Sequence, residues 1–238
     1  MLMHYFELTT TAYLLKNIAF NEVNEKIAQL INKAMLNDEC LTIKHEENKF
    51  KNYVFDSLYP REEDKIYKAD KIYVFRIRSL EEYFINKIKQ LFPNTTTDYF
   101  KVITGEIKKY EQRPIKELYT ITPALATIGK NIYWIPGDDI KVLIERMNAN
   151  LFKKYKSYFE VSLNEEQLFF EKIKILNRKP LVYKYKNTNL FGNKFKIAIN
   201  DDEISQKLAF MTLGVGLLEK NSTIGMGFCI EGGVEFGK

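Results

Sequence analysis

The same order of hydrophobic patterns is written twice along this chain, and that duplication limits the fold more than any other feature. In the first half, His4 to Tyr13 is β-branched and aromatic and reads as a strand. Val23, Ile27, Leu30, Ile31, Ala34 and Met35 then recur at three- and four-residue steps, which gathers them on one face of a helix. Phe20 and Asn21 read as the staple and N-cap of that helix, and Asn37-Asp38 breaks it. Lys51 to Tyr59 and Lys71 to Arg78 read as strands joined by the charged turn Arg61 to Asp70. Ser79 with Glu82 has the form of a capping box for a helix reaching Phe92, which Pro93-Asn94 ends. Tyr99 to Tyr110 returns to strand character.

After Gln112-Arg113-Pro114 the order restarts. Glu117 to Ile128 reads as a strand, turned at Gly129-Lys130-Asn131 into Ile132 to Ile135. Asp138-Asp139 caps a helix continuing to about Tyr155. Phe169 to Ile175, Leu181 to Tyr185 and Phe195 to Ile199 read as strands. Asp201-Asp202 opens a short helix, and Met226 to Glu231 closes as a strand. Strand, helix, two strands, helix, strand is the order of the ferredoxin-like split unit. The expected fold is therefore α+β: two tandem ferredoxin-like (RRM-like) domains, 1–113 and 114–238. Such a fold serves many ligands, so function has to come from the residues.

Composition narrows the classes. The chain has 238 residues, 45% of them hydrophobic and 28% charged, which fits a packed core and excludes a disordered chain. No apolar run approaches the roughly 18 residues of a membrane span, so no membrane partner is expected. The N-terminus lacks the basic-then-apolar pattern of a signal peptide. The two cysteines, Cys40 and Cys229, lie far apart without metal-ligand spacing, which fits a reduced, cytoplasmic setting with no metal and no cofactor. A net charge of +5 permits nucleic-acid binding without requiring it, because a lysine-rich surface also serves solubility.

Near the C-terminus, Gly214-Val215-Gly216 and Gly225-Met226-Gly227 flank the polar segment Glu219-Lys220-Asn221-Ser222. Glycine alone adopts positive φ without steric cost and lets another backbone come close. The expectation is a glycine-rich loop whose amide N–H groups face an anion. It is not a Walker loop, for no Gly-Lys-Ser/Thr follows at the required spacing. Nor is it a dinucleotide fingerprint, since Glu219 stands in the place of the third glycine.

Histidine is scarce, with only His4 and His45. Its ordinary pKa, about 6.5, suits it to both acid and base roles near neutrality. His4 falls in the first strand, and His45 in the polar run Lys44-His45-Glu46-Glu47-Asn48-Lys49. The bland reading of His45 and of Lys51, six residues on, is a pair of solvated side chains. The acidic pairs Asp138-Asp139 and Asp201-Asp202 sit at helix starts, where capping explains them.

Together these segments resemble the CRISPR-associated endoribonucleases that cut precursor CRISPR RNA within its repeats, the Cas six family. The glycine pairs enclosing Glu219 to Ser222 and closing on Gly225-Met226-Gly227-Phe228 are similar to that family's C-terminal glycine-rich motif. His45-Glu46, Lys51 and Tyr53 to Leu58 resemble its histidine-to-lysine stretch, and Thr120-Ile121-Thr122-Pro123 the opening of its second domain. The likeness extends over nearly the whole chain. Where some members carry a tyrosine on the first helix, this chain has Leu30, Ile31 and Asn32.

The resemblance implies metal-independent cleavage of RNA by attack of a ribose 2′-OH, leaving 2′,3′-cyclic phosphate and 5′-OH ends. His45 and Lys51 would be catalytic, His45 as acid or base and Lys51 by offsetting charge on the phosphorane. Gly214, Gly216, Lys220, Asn221, Ser222, Gly225 and Gly227 would contact the RNA backbone. Expected partners are the repeat RNA, other subunits of a crRNA-guided complex, and a second copy in a homodimer. Two further readings stay open. One is a non-catalytic RNA-binding subunit of a crRNA complex; the other is an unrelated enzyme of a small phosphorylated ligand.

Overall fold

The computed structural model describes residues 3–47, 50–161 and 167–232. The first half runs β1 (His4–Leu14), β2 (Ile18–Ala19), α1 (Val23–Met35), α2 (Glu39–Glu46), β3 (Tyr53–Phe55), β4 (Ile66–Tyr67), β5 (Ile72–Ser79), α3 (Glu82–Leu91) and β6 (Phe100–Glu111). The second runs β7 (Glu117–Thr120), β8 (Thr127–Gly129), β9 (Ile132–Tyr133), α4 (Ile140–Phe159), β10 (Phe170–Ile175), β11 (Leu181–Tyr185), β12 (Thr188–Gly192), β13 (Phe195–Ile199), α5 (Glu203–Val215), α6 (Asn221–Ile224) and β14 (Cys229–Glu231). Each half forms one 4-stranded sheet, in the order β3-β5-β1-β6 and β10-β13-β7-β14. All the pairings in both sheets are antiparallel. In each, the second and third strands of the unit precede the first and fourth, which is the ferredoxin-like topology. The duplicated order read from the sequence is thus present in space.

The helices form where the apolar spacing requires. Ile27, Leu30, Ile31 and Ala34 of α1 are fully buried against the first sheet, beside Phe55, Phe75 and Phe100. In the second half Leu143, Met147 and Leu151 of α4 and Leu208, Phe210 and Met211 of α5 bury against Phe195 and Ile197. Asp139 and Asp202 cap α4 and α5 as expected, accepting from Lys141 and Ser205 N–H at 2.9 and 3.0 Å. The core of the second half takes in Met3, Tyr5 and Leu80 from the first, so the two halves share one apolar seam.

Arg78 crosses that seam. It is buried on β5, where its Nε donates to Glu7 at 2.6 Å. Its Nη1 donates to the carbonyls of Cys229 at 2.7 Å and Leu213 at 3.3 Å, and its guanidinium lies 4.4 Å from the Phe228 ring centroid. A buried guanidinium is tolerable only when paired and hydrogen-bonded in this way. One side chain thereby ties the first sheet to α5 and to the strand that follows the glycine segment.

Several boundaries differ from the sequence reading. Asn21 is not the N-cap of α1. Glu22 holds that place without a side-chain bond to the helix N–H groups, and the Asn21 carbonyl accepts Lys184 N–H of β11 at 2.8 Å instead. Ser79 is not a capping-box residue. It ends β5, its hydroxyl donates to Asn52 O and accepts Glu81 N–H, and Glu81 occupies the N-cap of α3. The strand expected over Lys51 to Tyr59 stops at Phe55, because the Asp56 carboxylate takes the Arg76 N–H at 2.6 Å. The strand expected from Glu117 to Ile128 is interrupted at Ile121 to Ala126, where Thr122 and Pro123 turn to meet the glycine segment.

Candidate catalytic site and nucleic-acid interface

The run around His45, read as an irregular polar segment, is helical. Asp38, which ends α1, also starts α2: its carboxylate accepts Leu41 N–H at 3.1 Å. That bond, aided by Lys87 at 3.1 Å, holds the Asp38 carboxyl below the usual range. In the sequence Asp38 reads only as the end of α1, because α2 has no continuous apolar stripe to announce a second helix. His45 lies in the last turn of α2, and what is described there is its backbone.

Lys51 folds back onto the same turn. Its Nζ donates to Glu47 O at 2.7 Å and to Lys44 O, the carbonyl of the peptide that carries the His45 N–H. An ammonium here satisfies carbonyls that α2 leaves open and complements the negative end of its dipole. Burial pushes the Lys51 ammonium down, with Glu47 opposing. The two candidate catalytic residues thus share the C-terminal turn of one short helix. Glu81 braces that turn from α3, accepting Lys44 Nζ at 2.7 Å and Asn52 Nδ2 at 3.3 Å.

The glycine segment departs from the open anion loop expected. Gly214, Gly216, Gly225 and Gly227 are all buried. Gly214 lies inside α5, where a Cβ would come within 2.9 Å of Tyr5 Cβ. Gly216 ends α5 at φ +81°, and a Cβ there would stand 2.5 Å from Asn221 Nδ2. Gly225 (φ +65°) and Gly227 (φ +71°) press on backbone, with a Cβ meeting Phe55 O at 2.5 Å and Leu217 O at 2.0 Å. Their amides are spent inside the protein. Gly216 N–H donates to Thr212 O at 2.9 Å, Gly225 N–H to Asn221 O at 2.8 Å and Gly227 N–H to Pro123 O at 2.8 Å. These glycines serve close packing, a use the sequence could not separate from anion binding.

Asn221 is likewise turned inward. Its Nδ2 donates to Leu217 O at 3.0 Å and Met226 O at 2.7 Å, and its Oδ1 accepts Lys154 Nζ at 2.6 Å. Lys154, buried on α4, also donates to Gly216 O at 2.8 Å and Leu218 O at 2.7 Å. Burial pushes the Lys154 ammonium down to about 7, against the pull of Cys229 and Glu219. Nothing in the spacing of α4 marked this lysine, which lies on the inward face of a helix with apolar neighbours. Lys220, in contrast, is exposed, and Ser222 is half-buried.

The segment is seated against the first half. Tyr53 OH donates to Ser222 O at 3.2 Å and Asn24 Nδ2 to Ile224 O at 3.0 Å, while from the segment's own half Thr122 Oγ1 donates to Gly225 O at 2.7 Å. One cavity of about 360 Å³ results, with Lys51, Asn52 and Tyr53 on one wall and Lys154, Lys220 and Ser222 on the other. A second cavity, about 620 Å³, has Tyr59, Arg61, Arg76 and Lys194 among its lining residues. Tyr59 is 59% exposed there. Among the described residues, no three His, Cys, Asp or Glu side chains are grouped to hold a metal ion, and no helix is long and apolar enough to cross a membrane.

No family model matches the chain. The CRISPR-associated endoribonuclease Cas6 2 of Methanocaldococcus jannaschii is 25% identical over 232 residues, covering 90% of this chain and 94% of that protein. A solved structure described as a RAMP protein binding different RNA substrates has a TM-score of 0.73 at 16% identity, over 95% of this chain and 99% of that one. Another, of a Cas6-related gene from Pyrococcus furiosus, has a TM-score of 0.71 at 18% identity, over 95% of this chain and 98% of that one. The fold is therefore the tandem ferredoxin-like one, shared with that RAMP protein. Within that fold class, the chain is similar over most of its length to proteins described as Cas6.

Proposed function

We propose that this chain is an endoribonuclease that cuts precursor CRISPR RNA within its repeats. The observation that carries this reading is the meeting of Lys51 with Lys220 and Ser222 around one cavity, beside the turn that holds His45. The chemistry is transfer of the phosphodiester to the neighbouring 2′-OH. A base takes the 2′-OH proton, the oxygen attacks phosphorus, the 5′-oxygen leaves, and an acid protonates it. No metal enters this scheme, and the products are a 2′,3′-cyclic phosphate and a 5′-OH. His45 supplies the acid or the base. Lys51, held in place by the carbonyls of α2, offsets the charge that builds on the phosphorane.

Lys220 and Ser222 meet the RNA backbone, which positions the strand without reading its sequence. The glycines and Asn221 shape the segment from within. The RNA continues over the second cavity, where Arg61 and Lys194 meet phosphates and Tyr59 offers a ring for a base. Arg61→Ala is expected to weaken repeat binding alike for all sequences. It should also lower the slope of log affinity against log salt by about 1, read from binding titrations at several salt concentrations. Assembly with other subunits of a crRNA-guided complex and pairing with a second copy belong to the same reading.

The test is incubation with the RNA repeat encoded beside this gene and with a scrambled RNA of equal composition. Cutting of the repeat at one position, with the scrambled RNA intact, supports the reading. Salt-sensitive binding without cutting moves the chain to a non-catalytic RNA-binding subunit.

A further inference from the structure

Lys154 lines the cavity and is left unused by the proposed chemistry. It is buried in an apolar part of α4, and its ammonium meets three acceptors at once, Gly216 O, Leu218 O and Asn221 Oδ1. Three N–H bonds match three acceptors, so the group is satisfied only as an ammonium. Its acceptors bracket a strained stretch. Gly216, Leu218 and Lys220 stand at φ +81°, +58° and +60°. A left-handed residue other than glycine costs on the order of 1 kcal/mol and persists only where the surroundings hold it. Asn221 extends the same grip, since its amide also bonds Leu217 O and Met226 O across the segment. A methionine would fill the same volume without the cost of burying a charge. What the lysine adds is three directed donors that fix where the turn points.

From this geometry we infer that Lys154, acting through Asn221 and the carbonyls of Gly216 and Leu218, is a positioning residue for cleavage. It holds the left-handed turn that aims Lys220 and Ser222 into the cavity facing Lys51. The inference rests on the endoribonuclease reading and deepens it. Lys154 touches no reacting atom. Its effect is on the placement of the RNA backbone relative to the turn of α2, and misplacement of about 1 Å costs on the order of 100-fold in rate.

The experiment is single-turnover cleavage of repeat RNA at saturating protein, with Kd measured separately on RNA carrying a 2′-deoxy sugar at the cut site. Lys154→Met is compared with Leu143→Ala, which lies on the same helix in the core and is chosen to lower stability without reaching the segment. All assays run well below both melting transitions. The saturating rate of Lys154→Met is expected to fall about tenfold or more, with Kd changing less than the rate and Leu143→Ala cutting at the full rate. Asn221→Ala reaches the same grip from the other side and serves where Lys154→Met does not fold. Its loss in rate should match that of Lys154→Met, and the double variant should lose little more than either alone. Full-rate cutting by either single variant, or an equal loss in Leu143→Ala, overturns the positioning role and leaves the endoribonuclease reading standing. No cutting by the unsubstituted protein overturns the endoribonuclease reading, and the positioning role with it.

Discussion

Replacing His45 with Ala is expected to abolish repeat cleavage within assay limits while leaving the affinity for the repeat within a few-fold of the unsubstituted protein. A positioned acid or base is worth roughly 100- to 10,000-fold in rate. The backbone supports a large effect, because His45 lies on a turn fixed from three sides. Asp38 caps the start of α2, Glu81 braces Lys44, and Lys51 bonds the last open carbonyls. An Ala at this position keeps the helix, so the loss should fall on rate. Lys51→Ala is the less informative variant, for it would remove both the phosphorane's counter-charge and the closure of α2. The measurements are single-turnover rates and binding titrations on the same RNA. Unchanged cutting by His45→Ala would remove His45 from the mechanism and keep the enzyme.

The second large effect is on stability. Gly227→Ala is expected to cost about 3 kcal/mol or more, the range of substitutions that break backbone geometry outright. Position 227 has φ +71°, and a Cβ there would stand 2.0 Å from Leu217 O, the backbone of a neighbouring strand of chain. That approach cannot relax cheaply, because Leu217 N–H donates to Gly227 O and Gly227 N–H to Pro123 O, both at 2.8 Å. The whole segment would have to move away from α4 and the Thr122 turn. Denaturant unfolding measures the loss. RNA binding should fall with it, since Lys220 and Ser222 ride on the displaced stretch. A variant as stable as the unsubstituted protein would show that the segment's close packing is not what glycine is needed for.

The fold was largely legible because two periodicities alternate clearly in each half. Ile27, Leu30, Ile31 and Ala34 mark one face of a helix, and all four are fully buried. Boundaries were less legible where tertiary contacts replace local signals. Asp56 ends β3 by taking an amide from a neighbouring strand, and Asn21 gives its carbonyl to β11 instead of capping α1. Helix α2 was missed because a cap and two neighbouring helices hold it, with no apolar stripe to announce it. The candidate site divided in the same way. Glycine spacing correctly marked residues 214–227 as conformationally special but could not say whether the amides faced an anion or the core. Lys154 was invisible, since a buried lysine and a solvated one look alike in sequence.

The measurement that bears most directly on the central claim is cleavage of the adjacent repeat RNA in EDTA, with the product ends identified. A cut at one position, leaving 5′-OH and 2′,3′-cyclic phosphate ends, is the result the account predicts. A cut that vanishes in EDTA, or that leaves 5′-phosphate and 3′-OH ends, would contradict attack by the 2′-OH and the roles given to His45 and Lys51.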